Sequence, residues 1–487
     1  MKVLLVSSEV APFAKTGGLA DVAGALPLAL RKLGLDVRVV MPGYHSNQYG
    51  GQKPETVLPQ ILVQLGRNHF WGDVSRATLP GSDVPVYFIN NPEFYDRAGL
   101  YQENGRDYPD NPRRFAFFCK AVAWMIKGLG WTPDVIHCND WQTALLPVML
   151  KTDAEMKDDA ELRSIGSLYT IHNMAYQGNF WAGIIDDLGL DRALFRTSAL
   201  EYYGAVNTMK GGLLFSDQLS TVSPTYAREI QMPAYGCGLD GVLRDRAEDL
   251  TGILNGIDYE AWNPEADAHL AASFSWSDLA GKAVCKEALQ AELGLESRED
   301  VPLLVMISRL DPQKGLDILL PQLPEILKLD VQLAVLGTGR ADYESMLAEA
   351  AKAHRGQMAA VMKFDNGLAH RMEAGGDIFL MPSRFEPCGL NQLYSLRYGT
   401  LPLVRRTGGL ADSVEPLAPD ASWGTGFVFE DYTEAAMMKA LRQALALYGR
   451  PDAWRRTQVR AMKMDFSWDK SARLYIDLYE ECGRTDL

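Results

Sequence analysis

No uninterrupted apolar run in this 487-residue chain approaches the roughly 20 residues that cross a bilayer. The opening MKVLLVSSEVAP has one cation and too short an apolar stretch for a secretory leader, and reads instead as a first buried strand. Cysteine is sparse. Cys119, Cys138, Cys237, Cys285, Cys388 and Cys482 form no CxxC pair, so neither a disulfide framework nor a zinc site is expected. Positive charge is in deficit, 48 Lys and Arg against 62 Asp and Glu, for a net charge of −14 and a pI near 5.1. That balance argues against nucleic acid or an anionic membrane as partner, while leaving room for a local basic cleft. Common catalytic signatures are missing too. There is no GxSxG, and the Lys-Gly of DPQKGLD follows no P-loop glycine pattern. LGTGRAD resembles a dinucleotide fingerprint, but Asp342 stands where the third glycine belongs. The expected compartment is the cytoplasm.

What is present is alternation. Apolar runs such as KVLLVSSE, DVRVVMP, DVPVYFIN, DVIHCND, GSLYTIHN and QLSTVSP in the first half alternate with helix-length stretches, and PLLVMISRL, VQLAVLGTG, DIFLMPSR and LPLVRRTGG repeat the scheme in the second. Strand–helix alternation implies parallel sheets with right-handed crossovers. So many strands fit two doubly wound α/β domains better than one sheet. The expected boundaries are 1–245 and 246–465, followed by a closing segment 466–487. In that segment Trp468, Ala472, Tyr475, Ile476 and Tyr479 recur at the spacing of an amphipathic helix.

One phrase occurs twice. KTGGLAD spans Lys15 to Asp21, and RTGGLAD spans Arg406 to Asp412, each after a strand. A glycine pair lets a ligand approach the backbone and permits positive φ; a following helix offers N–H groups and a positive dipole end, which suit a phosphate. A Gly-Gly after a strand also serves simply as a tight turn, so other residues have to decide. ISRLDPQKGLD puts Arg309 and Lys314 together at a strand's carboxyl end, where a pyrophosphate would neutralise them; each close charge pair is worth about 4 kcal/mol at an effective dielectric of 20, before desolvation. Two solvated loop cations would look the same. Glu386 in MPSRFEPCGLNQLYSLRYG can hold a sugar hydroxyl, or merely complement a helix dipole. VIHCNDWQT and YTIHNMAYQG carry His137, Asp140, Trp141, His172 and Tyr176 past two further strands, and FYDRAGLY offers aromatics for sugar stacking.

In order along the chain, KTGGLADV, HCNDWQT, TIHNMAYQG, STVSPTYAREI, ILNGID, SRLDPQKGLD and MPSRFEPCGLNQLYSLRYGT…RTGGLADSV resemble the bacterial glycogen synthases and plant starch synthases, glycosyltransferase family 5, over about residues 1–480. The resemblance implies a GT-B architecture, two Rossmann-like domains with an interdomain cleft and a C-terminal helix crossing back to the first domain. It implies transfer of glucose from ADP-glucose to the non-reducing 4-OH end of an α-1,4-glucan, with retention of configuration and release of ADP. Carried over, Lys15, His172, Arg309, Lys314 and Glu386 are the expected catalytic residues. Gly17, Gly18, Asp21, Tyr95, Asp140, Trp141, Asn255, Phe364, Cys388, Gly389, Leu390, Thr407 and Gly408 are the expected substrate contacts, with Phe364 where an aromatic would stack on adenine. Two positions depart. Gln142 stands where many relatives have histidine, and Tyr394 stands eight residues after Glu386, where broader retaining transferases have a second glutamate.

No DxD-like triad lies beside these motifs, so no metal and no cofactor is expected, the three cations stabilising the departing diphosphate. Double displacement needs two carboxylates about 5–5.5 Å apart. With none paired in the sequence, a front-face substitution is preferred. Rival readings are a transferase with a small acceptor, a phosphorylase and a silent glucan-binding protein; a pyrophosphate pocket argues against the last.

Overall fold

The computed structural model describes residues 1–482. Residues 483–487 of the expected closing segment lie outside the described residues. The chain divides into two compact units, Met1–Gly256 with the segment from Trp468 onward, and Ile257–Ser467.

The first unit is built on a nine-stranded sheet. Its strands in chain order are β1 (Lys2–Val6), β2 (Asp36–Pro42), β3 (Glu55–Leu65), β4 (Asn68–Thr78), β5 (Pro85–Asn90), β6 (Val135–Asn139), β7 (Gly166–Ile171), β8 (Gln218–Thr221) and β9 (Leu250–Gly252). Across the sheet the order is β9-β8-β7-β6-β1-β2-β5-β4-β3. The central strands are buried on both faces, as parallel strands covered by helices require, and the few polar side chains among them, such as His137 and Thr170, bond to one another. α1 (Gly18–Lys32) carries Asp21 in its first turn and Arg31 and Lys32 in its last, each sign matched to the helix dipole. α2 (Asn111–Leu129) opens on Pro112 and closes on Gly130 at φ +57°.

At one edge the sheet is not parallel. β3 and β4 form an antiparallel hairpin, and β4 runs antiparallel to β5. The expectation of parallel sheets fails here because the hairpin faces water on one side. β3 alternates buried with exposed residues from Ile61 to Leu65, and both strands begin exposed, the pattern of an edge and not of a core strand.

The second unit has six parallel strands: β10 (Leu303–Ile307), β11 (Gln332–Leu336), β12 (Met358–Val361), β13 (Ile378–Met381), β14 (Leu401–Arg405) and β15 (Phe427–Phe429), ordered β12-β11-β10-β13-β14-β15. Its helices include α3 (Ala280–Leu293), α4 (Asn391–Arg397) and α5 (Gly408–Ser413). The chain returns to the first unit with α6 (Trp468–Glu481), which buries Trp468, Ser471, Ala472, Tyr475, Leu478 and Tyr479 at helical spacing. Two contacts tie it down. Ser471 Oγ donates to Leu254 O at 2.5 Å, and the Tyr479 hydroxyl lies 2.8 Å from His137 Nδ1 in the sheet core. Gly256 is small because Trp468 lies against it: a Cβ there would fall 2.8 Å from the tryptophan.

Both sheets contain a place where chain order reverses, β1/β6 in the first and β10/β13 in the second. Ligands of such sheets bind outside the carboxyl ends of the strands at that reversal. The loops leaving these strands carry the motifs singled out in the sequence.

Candidate active site

In the second unit, three loops meet. The loop after β10 bears Arg309 and Lys314, the loop after β13 bears Ser383 to Leu390, and the loop after β14 bears Thr407 and Gly408. Lys314 Nζ lies 2.6 Å from Glu386 Oε2, both side chains largely buried, and Ser383 Oγ donates to the same carboxylate oxygen at 3.0 Å. Arg384 N donates to Gln313 O at 2.8 Å, locking the first two loops. The third is locked by Gly409 N, which donates to Glu386 O and Pro387 O at 3.1 Å each. The approach is close enough to demand glycine. A Cβ on Gly408 (φ +43°) would sit 1.9 Å from Glu386 O, and one on Gly409 would sit 2.1 Å from Cys388 O.

Around this knot, Cys388 is buried, Gly389 adopts φ +72°, and Leu390 caps α4. Asn391 Nδ2 reaches the end of β10 through Ile307 O at 2.6 Å. Arg309 is more exposed, with Asp311 at 3.4 Å. Phe364 follows β12, two strands from β10, with its ring 83% exposed and able to stack. Tyr394 is a stacking residue, not a second acid: its ring lies 3.7 Å from Trp262, whose other face carries His370 at 3.7 Å.

In the first unit, Lys15 pairs with Asp21 at 2.6 Å. The glycine pair differs from its sequence reading in two respects. Gly17 has φ −157°, ordinary extended backbone, and the amides before the helix are already engaged. The buried Glu9 carboxylate accepts from Thr16 N, from Gly17 N at 3.3 Å, from Thr16 Oγ1 at 2.6 Å and from the Tyr101 hydroxyl at 2.6 Å. An internal carboxylate thus holds the Thr16 and Gly17 amides, just ahead of the N–H groups of α1 that were expected to meet a phosphate.

The β6 and β7 loops hold the other polar residues. Asp140 takes φ +56°, a conformation aspartate tolerates better than most side chains, and accepts from His172 N at 2.8 Å. Burial pushes its carboxyl up to about 7, against the opposing pull of the His172 and Asn173 amides. His172 Nε2 is 2.8 Å from Asn139 Oδ1. The Asn139 amide nitrogen donates to Val6 O and His137 O, so its oxygen faces the imidazole and Nε2 carries the proton. Burial lowers His172 to about 3, so the ring is neutral with Nδ1 an acceptor. Trp141 packs edge-on against Phe115 and Phe180. Asn255 is buried, with Oδ1 lacking a hydrogen-bond partner, as is Gln142 Oε1.

Tyr95 is in the core instead of on a surface. Only 1% exposed, it donates to Arg114 O at 2.9 Å, and its neighbour Phe94 is equally enclosed. Neither ring is presented for sugar stacking. Glu9 and Ser383 were not singled out in the sequence, because an acid in an apolar run and a serine after a strand carry no spacing signal. Among the described residues, no three His, Cys, Asp or Glu side chains group as a metal site, and no helix is long and apolar enough to cross a membrane.

A family model described as the starch synthase catalytic domain matches residues 2–245, and one described as glycosyl transferases group 1 matches residues 292–459. The glycogen synthase of Anaeromyxobacter sp. (strain Fw109-5) is 50% identical over 480 residues, covering 98% of this chain and 99% of that one. The chain belongs to the glycogen and starch synthase family. Glycogen synthase 2 of Geobacter sulfurreducens is 48% identical over 485 residues, covering 100% and 99%. Among solved structures, the catalytic domain of starch synthase IV from Arabidopsis thaliana bound to ADP and acarbose matches with a TM-score of 0.90 at 35% identity, covering 98% of each chain. A sucrose-phosphate synthase from Thermosynechococcus elongatus shares the fold alone, with a TM-score of 0.61 at 16% identity over 99% of this chain and 98% of that one. As a member of the glycogen and starch synthase family, the chain is a glycosyltransferase with the paired Rossmann-like sheets of the GT-B class.

Proposed function

We propose that the chain transfers glucose from ADP-glucose to the non-reducing 4-OH end of an α-1,4-glucan, with retention at the anomeric carbon, in the cytoplasm. The observation that carries the reading is the Lys314–Glu386 pair at 2.6 Å, set where chain order reverses in the second sheet. A transferred glucose presents hydroxyls and its leaving group presents a diphosphate, so an acid and a cation side by side match both ends of one donor.

In this reading Lys314 and Arg309 take the diphosphate, Glu386 accepts from glucose hydroxyls, Thr407, Gly408 and the backbone of Cys388 to Leu390 line the sugar and phosphate, and Phe364 stacks on adenine. Lys15, Gly17, Gly18 and Asp21 are assigned to substrate binding in the first unit. Asp140, Trp141, His172 and Asn255 serve the reacting sugar and the acceptor. Negative charge grows on the bridging oxygen as the glycosidic bond breaks, and fixed cations stabilise that state more than the ground state. With a tyrosine in place of the second acid, we assign a front-face substitution in which the departing phosphate oxygen takes the acceptor's proton. Fixed cations make a divalent ion unnecessary for neutralising ADP.

Tyr95 leaves the list of contacts and becomes a support: it holds the Arg114 backbone.

The test is a panel of nucleoside diphosphate glucoses with glycogen as acceptor, with and without a chelator. Incorporation into polymer from ADP-glucose, undiminished by chelation, is the expected result. Label appearing only in a disaccharide would overturn the acceptor assignment. A chelator-sensitive rate would overturn the cation assignment.

A further inference from the structure

A three-stranded antiparallel sheet grows out of the loop that follows β7. Its strands are Asn179–Trp181, Ala205–Asn207 and Glu201–Tyr202, with the second in the middle. The pairing register puts Trp181, Ala205 and Tyr202 in one row, while Phe180, Val206 and Glu201 form the next. Neighbouring rows point to opposite faces. The inner row is anchored: Val206 is buried and Phe180 packs on Trp141 of the candidate site. The outer row is two aromatics flanking an alanine, with Trp181 54% exposed.

The hairpin tip extends this face. Tyr203 and Gly204 join the last two strands at φ +49° and +80°, the signs a type I′ turn requires at both positions. Asparagine or glycine normally fills the first of these, and a bulky ring there is an outlier that invites a functional explanation. The ring is 86% exposed and stands edge-on to Tyr202 at 4.7 Å. Tyr202 is fixed from behind by its hydroxyl, which donates to Cys237 O at 2.8 Å. A strained turn thus displays an aromatic that water does not favour.

We propose that Trp181, Tyr202 and Tyr203 form a stacking platform for an α-glucan chain, a binding site on the first unit separate from the reacting groups. The proposal rests on the functional reading above, which names a glucan as acceptor. Flat rings match the C–H faces of pyranoses, and the small Ala205 leaves room for a sugar ring between the flanking aromatics. No charged side chain stands in the row. The platform is continuous with the acceptor loops, because Gly178, one residue before its first strand, approaches the Trp141 ring so closely that a Cβ would lie 2.7 Å from it.

The test uses Trp181→Ala and Tyr203→Asn in the full chain. Asparagine suits the turn, so the second variant removes the ring with no loss of thermal stability. Each variant is run through a native gel containing glycogen and assayed with glycogen and with maltotriose. The expected result is reduced retardation and a glycogen half-saturation raised about tenfold, by analogy with the value of one aromatic contact, with the ADP-glucose KM unchanged and the maltotriose KM within about twofold. Unchanged retardation and half-saturation would overturn the platform. So would a shift in sedimentation with glycogen binding intact, because the face would then be occupied by a second copy of the chain. A wild-type chain that is inactive with ADP-glucose and glycogen condemns the functional reading instead, and retardation still reports on the platform.

Discussion

Replacing Asp140 by asparagine should abolish a pH dependence that wild type builds into its first unit. The Asp140 carboxyl is held up to about 7 by burial, from an ordinary 3.8. Between those values the unfolded chain has released a proton that the folded chain keeps, so wild-type stability falls as pH rises from about 4 to about 7. Asparagine cannot ionise. Its oxygen can still accept from His172 N, which lies 2.8 Å from Asp140 Oδ1, and it tolerates the φ of +56° at least as well. Linkage with these two pKa values makes the ionisation cost wild type about 1.7 kcal/mol at pH 5 and about 4 kcal/mol at pH 8. The stability difference between variant and wild type should therefore move in the variant's favour by about 2–3 kcal/mol across that interval. Urea unfolding of both proteins at pH 5 and pH 8 measures the difference, and contributions from every other titrating group cancel in it. A difference that stays constant within about 0.5 kcal/mol would refute the reasoning, because Asp140 would then ionise as an exposed aspartate does. Glycosyl transfer by the variant should fall at both pH values, since the carboxylate is also assigned to the sugar.

Lys314→Ala removes one charge from the diphosphate; at about 4 kcal/mol for a close pair in an effective dielectric of 20, kcat/KM for ADP-glucose should fall by up to about 10³, with Lys314→Arg recovering part of it, both read by steady-state kinetics at saturating glycogen. Phe364→Ala should raise the ADP-glucose KM about fivefold to tenfold and leave kcat nearly unchanged, because an 83% exposed ring contributes binding and no chemistry; thermal stability should not move. Tyr95→Phe should cost stability, about 1 kcal/mol for the bond to Arg114 O, with little change in either KM, separating a buried support from a sugar contact.

The two-sheet architecture was legible because its inner strands are largely buried and rich in apolar and β-branched residues: DVRVVMP is β2 to the residue, and LPLVR is β14. The runs ended later in the sequence reading than in the fold. The polar residues after each run, such as Ser308 to Lys314 after β10, are the loops that carry function. The β3–β4 hairpin was missed because its strands are largely exposed and carry too many polar residues to read as core strands. The site was legible where a charge or a glycine had no cheap structural use. Lys314, Glu386 and Gly408, each singled out separately, come together in the fold. Tyr95 misled because nothing in FYDRAGLY distinguishes a core ring from a displayed one. Trp181 and Tyr203 were passed over for the converse reason, since exposure depends on pairing register and on a turn whose φ signs the sequence does not announce.

The repeated Thr-Gly-Gly-Leu-Ala-Asp makes the same distinction within one phrase. In the second copy the glycines are required by the protein itself. Cβ atoms on Gly408 and Gly409 would lie 1.9 and 2.1 Å from backbone oxygens of the neighbouring loop, and Gly408 has positive φ. In the first copy, a Cβ on Gly17 meets nothing within 4 Å, and its φ of −157° is open to any residue. Gly17→Ala should therefore leave stability unchanged or raise it by about 0.4–1 kcal/mol through the unfolded chain. Gly409→Ala should destabilise the second unit by about 1–3 kcal/mol, the range for overpacking. If Gly17→Ala nevertheless loses transfer activity while melting at or above the wild-type temperature, the missing space belonged to a ligand's approach. If it retains full activity, the first copy of the phrase is a turn and nothing more, and Gly17 leaves the site.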